Sequence, residues 1–279
     1  MSTTFAQRLD SACEASRSLV CVGLDPDPSL MPVKDVAAFN RAIVDATHDL
    51  VCAYKPNLAF YEALGLDGLK ALESTVRHIR DVAPGVILLG DGKRGDIGNT
   101  ATAYARAMFE YWGFDAVTIN AYCGRDGVEP FLEYSDRGVF VLCRSSNPGA
   151  VDLQDLVVSS GADSARPLYQ QLALQVGEWD RHGNAGLVLG ATYPEQIREV
   201  RALCPDMPFL IPGIGSQEGA LEEAVRNGVT VQGRRILVNS SRGIIYASRG
   251  DDFAEAARKA TTDLKDAINV VLASVDAAW

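Results

Sequence analysis

Little in this sequence favours a nucleic-acid surface. Lys and Arg number 26 against 36 Asp and Glu, a net charge of −10 over 279 residues, whereas nucleic-acid binders carry basic patches. That acidity does not exclude a small anion, because one arginine and a few backbone N–H groups can hold a phosphate. The six cysteines, at 13, 21, 52, 123, 143 and 204, form no C-x-x-C pair. Their spacing therefore offers neither a disulfide framework nor a zinc site. Cys21, Cys52 and Cys143 lie in apolar runs, where a reduced cysteine behaves as a small core hydrophobe, and a reducing compartment is expected. No apolar run approaches the ~20 residues of a membrane span. The first eighteen residues lack both the apolar core of a signal peptide and an arginine-rich amphipathic pattern, so the expected location is cytoplasmic. Histidine is scarce: His48, His78 and His182 all fall on or beside expected helices, away from any strand end. Trp112, Trp179 and Trp279 read as packing residues.

What is present is a core-rich chain, 47% hydrophobic and 22% charged. A short amphipathic helix, Phe5 to Ala15, is expected to cap one end of the domain. Eight apolar strands follow: 19–26, 51–57, 86–91, 114–120, 138–143, 185–190, 208–212 and 236–239. Between them lie helical patterns, with apolar residues spaced three to four apart: 36–50, one ending near Val82, 101–112, 128–134, 166–181, 195–203, 218–227 and a last one at 252–272. Most strands are continuous apolar runs, as in parallel strands buried on both faces. Eight strand–helix repeats without a linker predict a (β/α)₈ TIM barrel, one domain over residues 1–279.

In such a barrel the site lies at the C-terminal ends of the strands, and polar residues recur there. Asp25 ends strand one and Lys55 strand two. Asp91-Gly92-Lys93-Arg94-Gly95-Asp96 leaves strand three, and alternation puts Asp91 and Lys93 on one side. Asn120 ends strand four. Ser145 and Ser146 follow strand five, Pro212, Gly213, Gly215 and Gln217 strand seven, and Ser241 and Arg242 strand eight. Taken singly, each has a structural alternative. Asp25 before Pro26 suits a turn, Lys55 could snorkel from the rim, and Asp91 with Lys93 could be a structural ion pair. Asp96 stands where a helix N-cap belongs, Ser146-Asn147-Pro148-Gly149 is ordinary turn chemistry, and Arg242 could lie on a solvated face. Together they demand several coincidences at one end of one barrel.

The glycines of 213–215 allow close approach of a ligand to the backbone, and Arg242 offers a bidentate grip on a dianion. Phosphate sites after strands seven and eight are common in these barrels, so the 213–217 and 240–243 loops read as a phosphate cradle. Arg234 and Arg235 precede strand eight and belong to the opposite end.

The stretch Asp91-x-Lys93-x-x-Asp96-Ile97-Gly98-x-Thr100 resembles the signature of the orotidine 5′-phosphate decarboxylases, nearest to their longer bacterial subgroup. Gly-Leu-Asp25, Lys55, Ser-Asn-Pro-Gly, Pro-Gly-Ile-Gly-x-Gln and Asn-Ser-Ser-Arg-Gly follow the same order of parts over nearly the whole chain. The Asp-x-Lys-x-x-Asp core alone is shared with magnesium-dependent sugar-phosphate decarboxylases and hexulose-phosphate synthases. Those typically carry an acid where Lys55 stands. Lys55 and the serine after strand five favour the orotidylate enzyme.

That resemblance implies decarboxylation of orotidine 5′-monophosphate to UMP and CO₂, the last step of de novo UMP biosynthesis, with no cofactor and no metal. It implies that Lys93 protonates C6, that Asp91 and Lys55 fix Lys93 in an alternating charge chain, and that Asp96 lies near the departing carboxylate. Asp25 and Lys55 are expected at the ribose hydroxyls, Ser146 at the pyrimidine, and Pro212, Gly213, Gly215, Gln217, Ser241 and Arg242 around the phosphate. A homodimer with shared active sites is implied, Asp96, Ile97 and Thr100 reaching the neighbour's site. No nucleic acid or membrane partner is expected. Two departures stand out: Ser241 precedes Arg242 where many relatives have glycine, and the segment after Gln217 is short.

Overall fold

The computed structural model describes residues 3–159, 165–213 and 218–279, with the side chains of residues 218 and 219 excepted. Eight parallel strands close into a barrel in chain order. They are β1 Val20–Leu24, β2 Ala53–Pro56, β3 Ile87–Arg94, β4 Ala116–Ile119, β5 Gly138–Arg144, β6 Ala185–Leu189, β7 Phe209–Pro212 and β8 Ile236–Ser240. Val20 pairs with Val238 to close the ring. The (β/α)₈ expectation holds, because apolar runs of four to eight residues bury both faces, inward on the barrel interior and outward on the helices.

The helices are α1 Phe5–Ser16, α2 Val36–Thr47, α3 Leu58–Glu62, α4 Gly65–Val82, α5 Gly98–Arg106, α6 Arg125–Leu132, α7 Leu168–Trp179, α8 Pro194–Leu203, α9 Glu218–Gly228, α10 Arg242–Ile245 and α11 Phe253–Ser274. Helix α1 starts at a reciprocal cap in which Thr4 and Gln7 each accept the other's backbone N–H, satisfying two donors that helix geometry leaves free. Its Phe5 meets Phe140 edge-on, ring centres 6.0 Å apart, and seals the N-terminal end of the barrel. Tyr54 turns outward, its hydroxyl 2.7 Å from that of Thr47 on α2. Alternation then sends its neighbour Lys55 into the barrel.

Several boundaries differ from expectation. Helix α2 ends at Thr47 rather than near Leu50. The helical pattern ending at Val82 is two helices, separated by a turn at Ala63 and Leu64, with Gly65 at φ +64 opening α4. The helix expected at 101–112 starts earlier and passes into a π turn over Ala107–Tyr111, and α6 starts at Arg125 and stops at Leu132. The polar segment after β5 carries a 3₁₀ turn at Pro148–Asp152 and a two-residue antiparallel ladder, Val157–Val158 with Arg166–Pro167. Helix α10 was not expected; it is one turn long, too short to show a periodicity. Among the described residues no helix is long and apolar enough to cross a membrane. All six cysteines are free, five of them buried.

Candidate active site

The C-terminal rim of the barrel encloses a cavity of about 450 Å³. Asp25, Lys55, Asp91, Lys93, Pro212, Gly213, Ser241 and Arg242 all line it, so eight residues singled out from five separate strand ends meet in one place. At its base lies a charge chain. The Lys55 ammonium is 2.8 Å from Oδ2 of Asp91 and the Lys93 ammonium 2.6 Å from Oδ1. Lys55 and Asp91 are 3% and 6% exposed, so Lys55 does not snorkel to the rim. The side chain of Lys93 keeps 44% of its surface and faces the cavity.

Burial alone would push the Asp91 carboxyl up, but the ammonium groups of Lys55 and Lys93 outweigh it and hold the carboxyl well below the usual range. Burial disfavours the Lys55 ammonium, yet the negative charges of Asp91 and Asp25 raise its pKa above the usual lysine value. Both groups are therefore charged at neutral pH. Cys21, on the barrel interior beneath them, has its thiol pushed up to about 12 by burial, only partly offset by Lys55, and stays neutral.

The strand carrying Asp91 and Lys93 is not regular. Gly90 pairs with Val117 and the next paired residue, Arg94, with Ile119. Lys93 takes φ +43, a left-handed conformation rare for a residue with a side chain. The two side chains do meet, but through this bulge rather than through simple alternation. Thr118 of β4 fills the break: its hydroxyl donates to Oδ1 of Asp91 at 2.7 Å and accepts the Lys93 N–H at 3.0 Å.

Asp25 lines the cavity with a buried Oδ1 that has no hydrogen-bond partner among the described residues. Its carbonyl accepts from the hydroxyl of Tyr246 at 2.9 Å, immediately after α10, which ties the end of β1 to the Arg242 segment. Arg242 is exposed and has no ion-pair partner among the described residues. Ser241 has φ −111, outside the left-handed region that favours glycine. Room for its side chain comes from Gly23, where a Cβ would collide with the serine hydroxyl. Gly213 takes φ +90, which a side chain would strain. Gly215 and Gln217 lie outside the described residues.

After β5 the two serines separate. Ser145 is tied into its own loop, donating to Asn147 at 2.7 Å and receiving Gln154 at 2.9 Å. Ser146 sits against Gly190 and Gly213, beside the cavity. Buried Arg144 anchors this loop with two bonds to Asp155, at 2.9 and 3.1 Å, and lies over the Tyr193 ring. Asp96 does not cap α5: the N-cap is Ile97 and makes no side-chain cap bond. Asp96 instead accepts the Ile97 N–H at 2.8 Å, and Ile97 is 59% exposed. Asp96, Ile97 and Thr100 are not part of this chain's cavity wall.

Sequence reasoning missed Asn57 and Asn239, which also line the cavity, and Thr118, whereas Ser240 and Gly243 of the expected 240–243 cradle do line it. Asn57 was within reach, since it stands two residues after Lys55 on the same face. Asn120, by contrast, lines a separate, mainly apolar hollow of about 370 Å³ with Leu142, Leu153 and Leu172. Arg234 and Arg235 lie at the far end as expected, against Trp279 and Asp10. No histidine lines the charged cavity.

The family model described as orotidine 5′-phosphate decarboxylase / HUMPS matches residues 18–260. The chain belongs to this family. Within the orotidine 5′-phosphate decarboxylase / HUMPS family it stands with the decarboxylases. It is 50% identical over 276 residues to orotidine 5′-phosphate decarboxylase of Roseiflexus sp. strain RS-1, covering 96% of this chain and 98% of that one. To the enzyme of the same name from Cellvibrio japonicus it is 46% identical, covering 97% and 100%. Among solved structures, a putative orotidine-monophosphate-decarboxylase of Toxoplasma gondii superposes with a TM-score of 0.85 at 38% identity, covering 97% of this chain and 98% of that chain. The chain also matches UMP synthase of Leishmania donovani at 38% identity and a TM-score of 0.85, where 97% of it covers 56% of that longer chain. The chain is thus an enzyme, a carboxy-lyase of the orotidylate-decarboxylating type.

Proposed function

We propose that decarboxylation of orotidine 5′-monophosphate, the pyrimidine-biosynthetic reaction of this family, proceeds here without cofactor and with Lys93 as the proton donor. The C6–carboxyl bond breaks, its electron pair stays on C6, CO₂ leaves, and the Lys93 ammonium gives C6 a proton that solvent later restores. The observation that carries this reading is the Lys55–Asp91–Lys93 chain at the cavity base. It supplies a fixed positive charge where negative charge develops, needing no reorganisation at the moment of reaction. Both Asp91 oxygens accept from ammonium groups, and Lys55 occupies the place of an acid in the magnesium-dependent relatives. That donor set suits a cation chain better than a divalent ion.

At the other end of the cavity, Arg242, Ser241 and Gly213 are the proposed phosphate contacts, joined by Gly215 and Gln217. Binding energy gained there, far from C6, can be used to hold the reacting centre in place. Asp25 and Lys55 take the ribose hydroxyls, and Ser146 the pyrimidine. Asp96, Ile97 and Thr100 serve the neighbouring subunit of a homodimer. The exposure of Ile97 and Thr100, the partial exposure of Asp96 and their position outside this chain's cavity support that assignment. A cytoplasmic location belongs to the same reading, supported by the free cysteines.

The test is loss of orotidylate absorbance with and without EDTA. Turnover in chelator is expected; abolition would favour a metal-dependent lyase. Sharing of sites is tested by mixing inactive Lys93→Ala and Asp96→Ala chains. Activity should return as subunits exchange, and exchange without recovery would refute the shared site.

A further inference from the structure

We infer that Thr118 is a positioning residue for the reaction, holding Lys93 and Asp91 in register through its hydroxyl. The inference rests on the proposed role of Lys93. The ladder between β3 and β4 advances four residues on one strand, Gly90 to Arg94, for two on the other, Val117 to Ile119. The surplus takes Asp91-Gly92-Lys93 out of register with β4, while Asp91 still bridges Asn57 on the β2 side, and the Lys93 N–H meets a side chain of β4 in place of a ladder carbonyl. A buried N–H without an acceptor is destabilising. Thr118, 1% exposed, supplies that acceptor at 3.0 Å.

Its single hydroxyl proton is then committed. Having accepted from Lys93, the oxygen donates to Oδ1 of Asp91 at 2.7 Å, the same oxygen that receives the Lys93 ammonium at 2.6 Å. The result is a closed ring: Lys93 backbone, Thr118 hydroxyl, Asp91 carboxylate, Lys93 side chain. It fixes both ends of Lys93, whose φ of +43 is not one the residue prefers. The hydroxyl also takes a share of the Oδ1 charge, leaving the ammonium less tightly bound to Asp91 and freer to face C6. Val117 and Ile119 flank Thr118 with apolar side chains, so no neighbour on β4 can substitute.

The experiment compares Thr118→Val, which keeps the β-branched shape and loses the hydroxyl, with Thr118→Ser, which keeps the hydroxyl. For Thr118→Val, kcat on orotidine 5′-monophosphate should fall about 30- to 100-fold, the scale of a misplaced reacting group. The Kd for UMP, which lacks the carboxylate and makes no demand on proton transfer, should stay within about threefold. Thr118→Ser should recover kcat to within about fivefold of the parent. Equal losses in the two variants would overturn the hydroxyl's role, as would a fall in UMP affinity in step with kcat, or a Val variant at parental kcat. Lys93→Ala serves as the control: if it is inactive while Thr118→Val is normal, this inference alone fails. If Lys93→Ala turns over normally, the underlying reading fails first.

Discussion

Two buried aspartates sit at opposite ends of the same pair of strands, and they do different things. Asp91 leaves the top of β3; Asp115 precedes β4 at the bottom. Both are almost inaccessible and both are surrounded by cations. Asp115 receives Arg8, Arg80 at 2.7 Å, Arg137 at 3.5 Å and the Leu88 N–H at 2.9 Å. Each of those arginines has a second anchor, on the carbonyls of Asp136, Gly113 and Phe114. Both carboxylate oxygens of Asp115 are paired. Around Asp91 the cations are lysines, compact point charges on flexible stems. One of them is half-exposed to a cavity, and nearby Asp25 keeps a buried oxygen with no partner among the described residues. Burial and charge alone therefore do not mark chemistry. What separates the two clusters is unsatisfied capacity facing an open volume, and satisfied capacity facing packed helices.

The contrast can be broken experimentally. The largest effect is expected at the top: Lys93→Ala should lower kcat/KM by about 10⁴-fold or more, since it removes both the proton donor and the charge at C6. The urea midpoint should change little. Turnover near the parental level would end the assignment. Next, Arg242→Ala should lower kcat/KM on orotidine 5′-monophosphate by about 10²- to 10³-fold, the scale of truncating a charged hydrogen-bonded pair. Unphosphorylated orotidine should lose less than about threefold; equal losses would remove the phosphate role. At the bottom, Asp115→Ala should do the reverse. It strands three arginines and should cost about 3 kcal/mol of stability, read from the urea midpoint, with kcat per folded molecule intact.

The smallest expected effect concerns pH. Asp91 is held below the usual carboxyl range, so its contribution to stability is full above the unfolded carboxyl value of about 4 and fades as pH falls through its folded pKa. Lys55 is raised, so its contribution is full below the unfolded lysine value of about 10.4 and fades as pH rises through its folded pKa. Between about pH 5 and 9 neither group should titrate. A wild-type stability step in that window that vanished in a Lys55→Met, Asp91→Asn double variant would contradict the charge state described here.

The architecture was legible in the linear chain because burial on both strand faces writes itself as apolar runs, and because helix and strand periodicities differ. The rim residues were legible for the same reason: a lysine or aspartate ending an apolar run is conspicuous. Helix ends were less so. The break before Gly65, the π turn after Arg106 and the single turn of α10 depend on local backbone angles and on what packs nearby, neither of which leaves a periodic trace. Thr118 was invisible, since a threonine in an apolar strand is unremarkable until the register is known. By itself the sequence determined a closed (β/α)₈ barrel with Asp25, Lys55, Asp91, Lys93 and Arg242 at one end. Only the tertiary structure decided that β3 bulges, that Lys93 is left-handed, and that a hydroxyl from β4 closes the ring around it. Strand pairing is non-local, and which donor meets which acceptor across a bulge follows from three-dimensional register rather than from the order of residues along either strand.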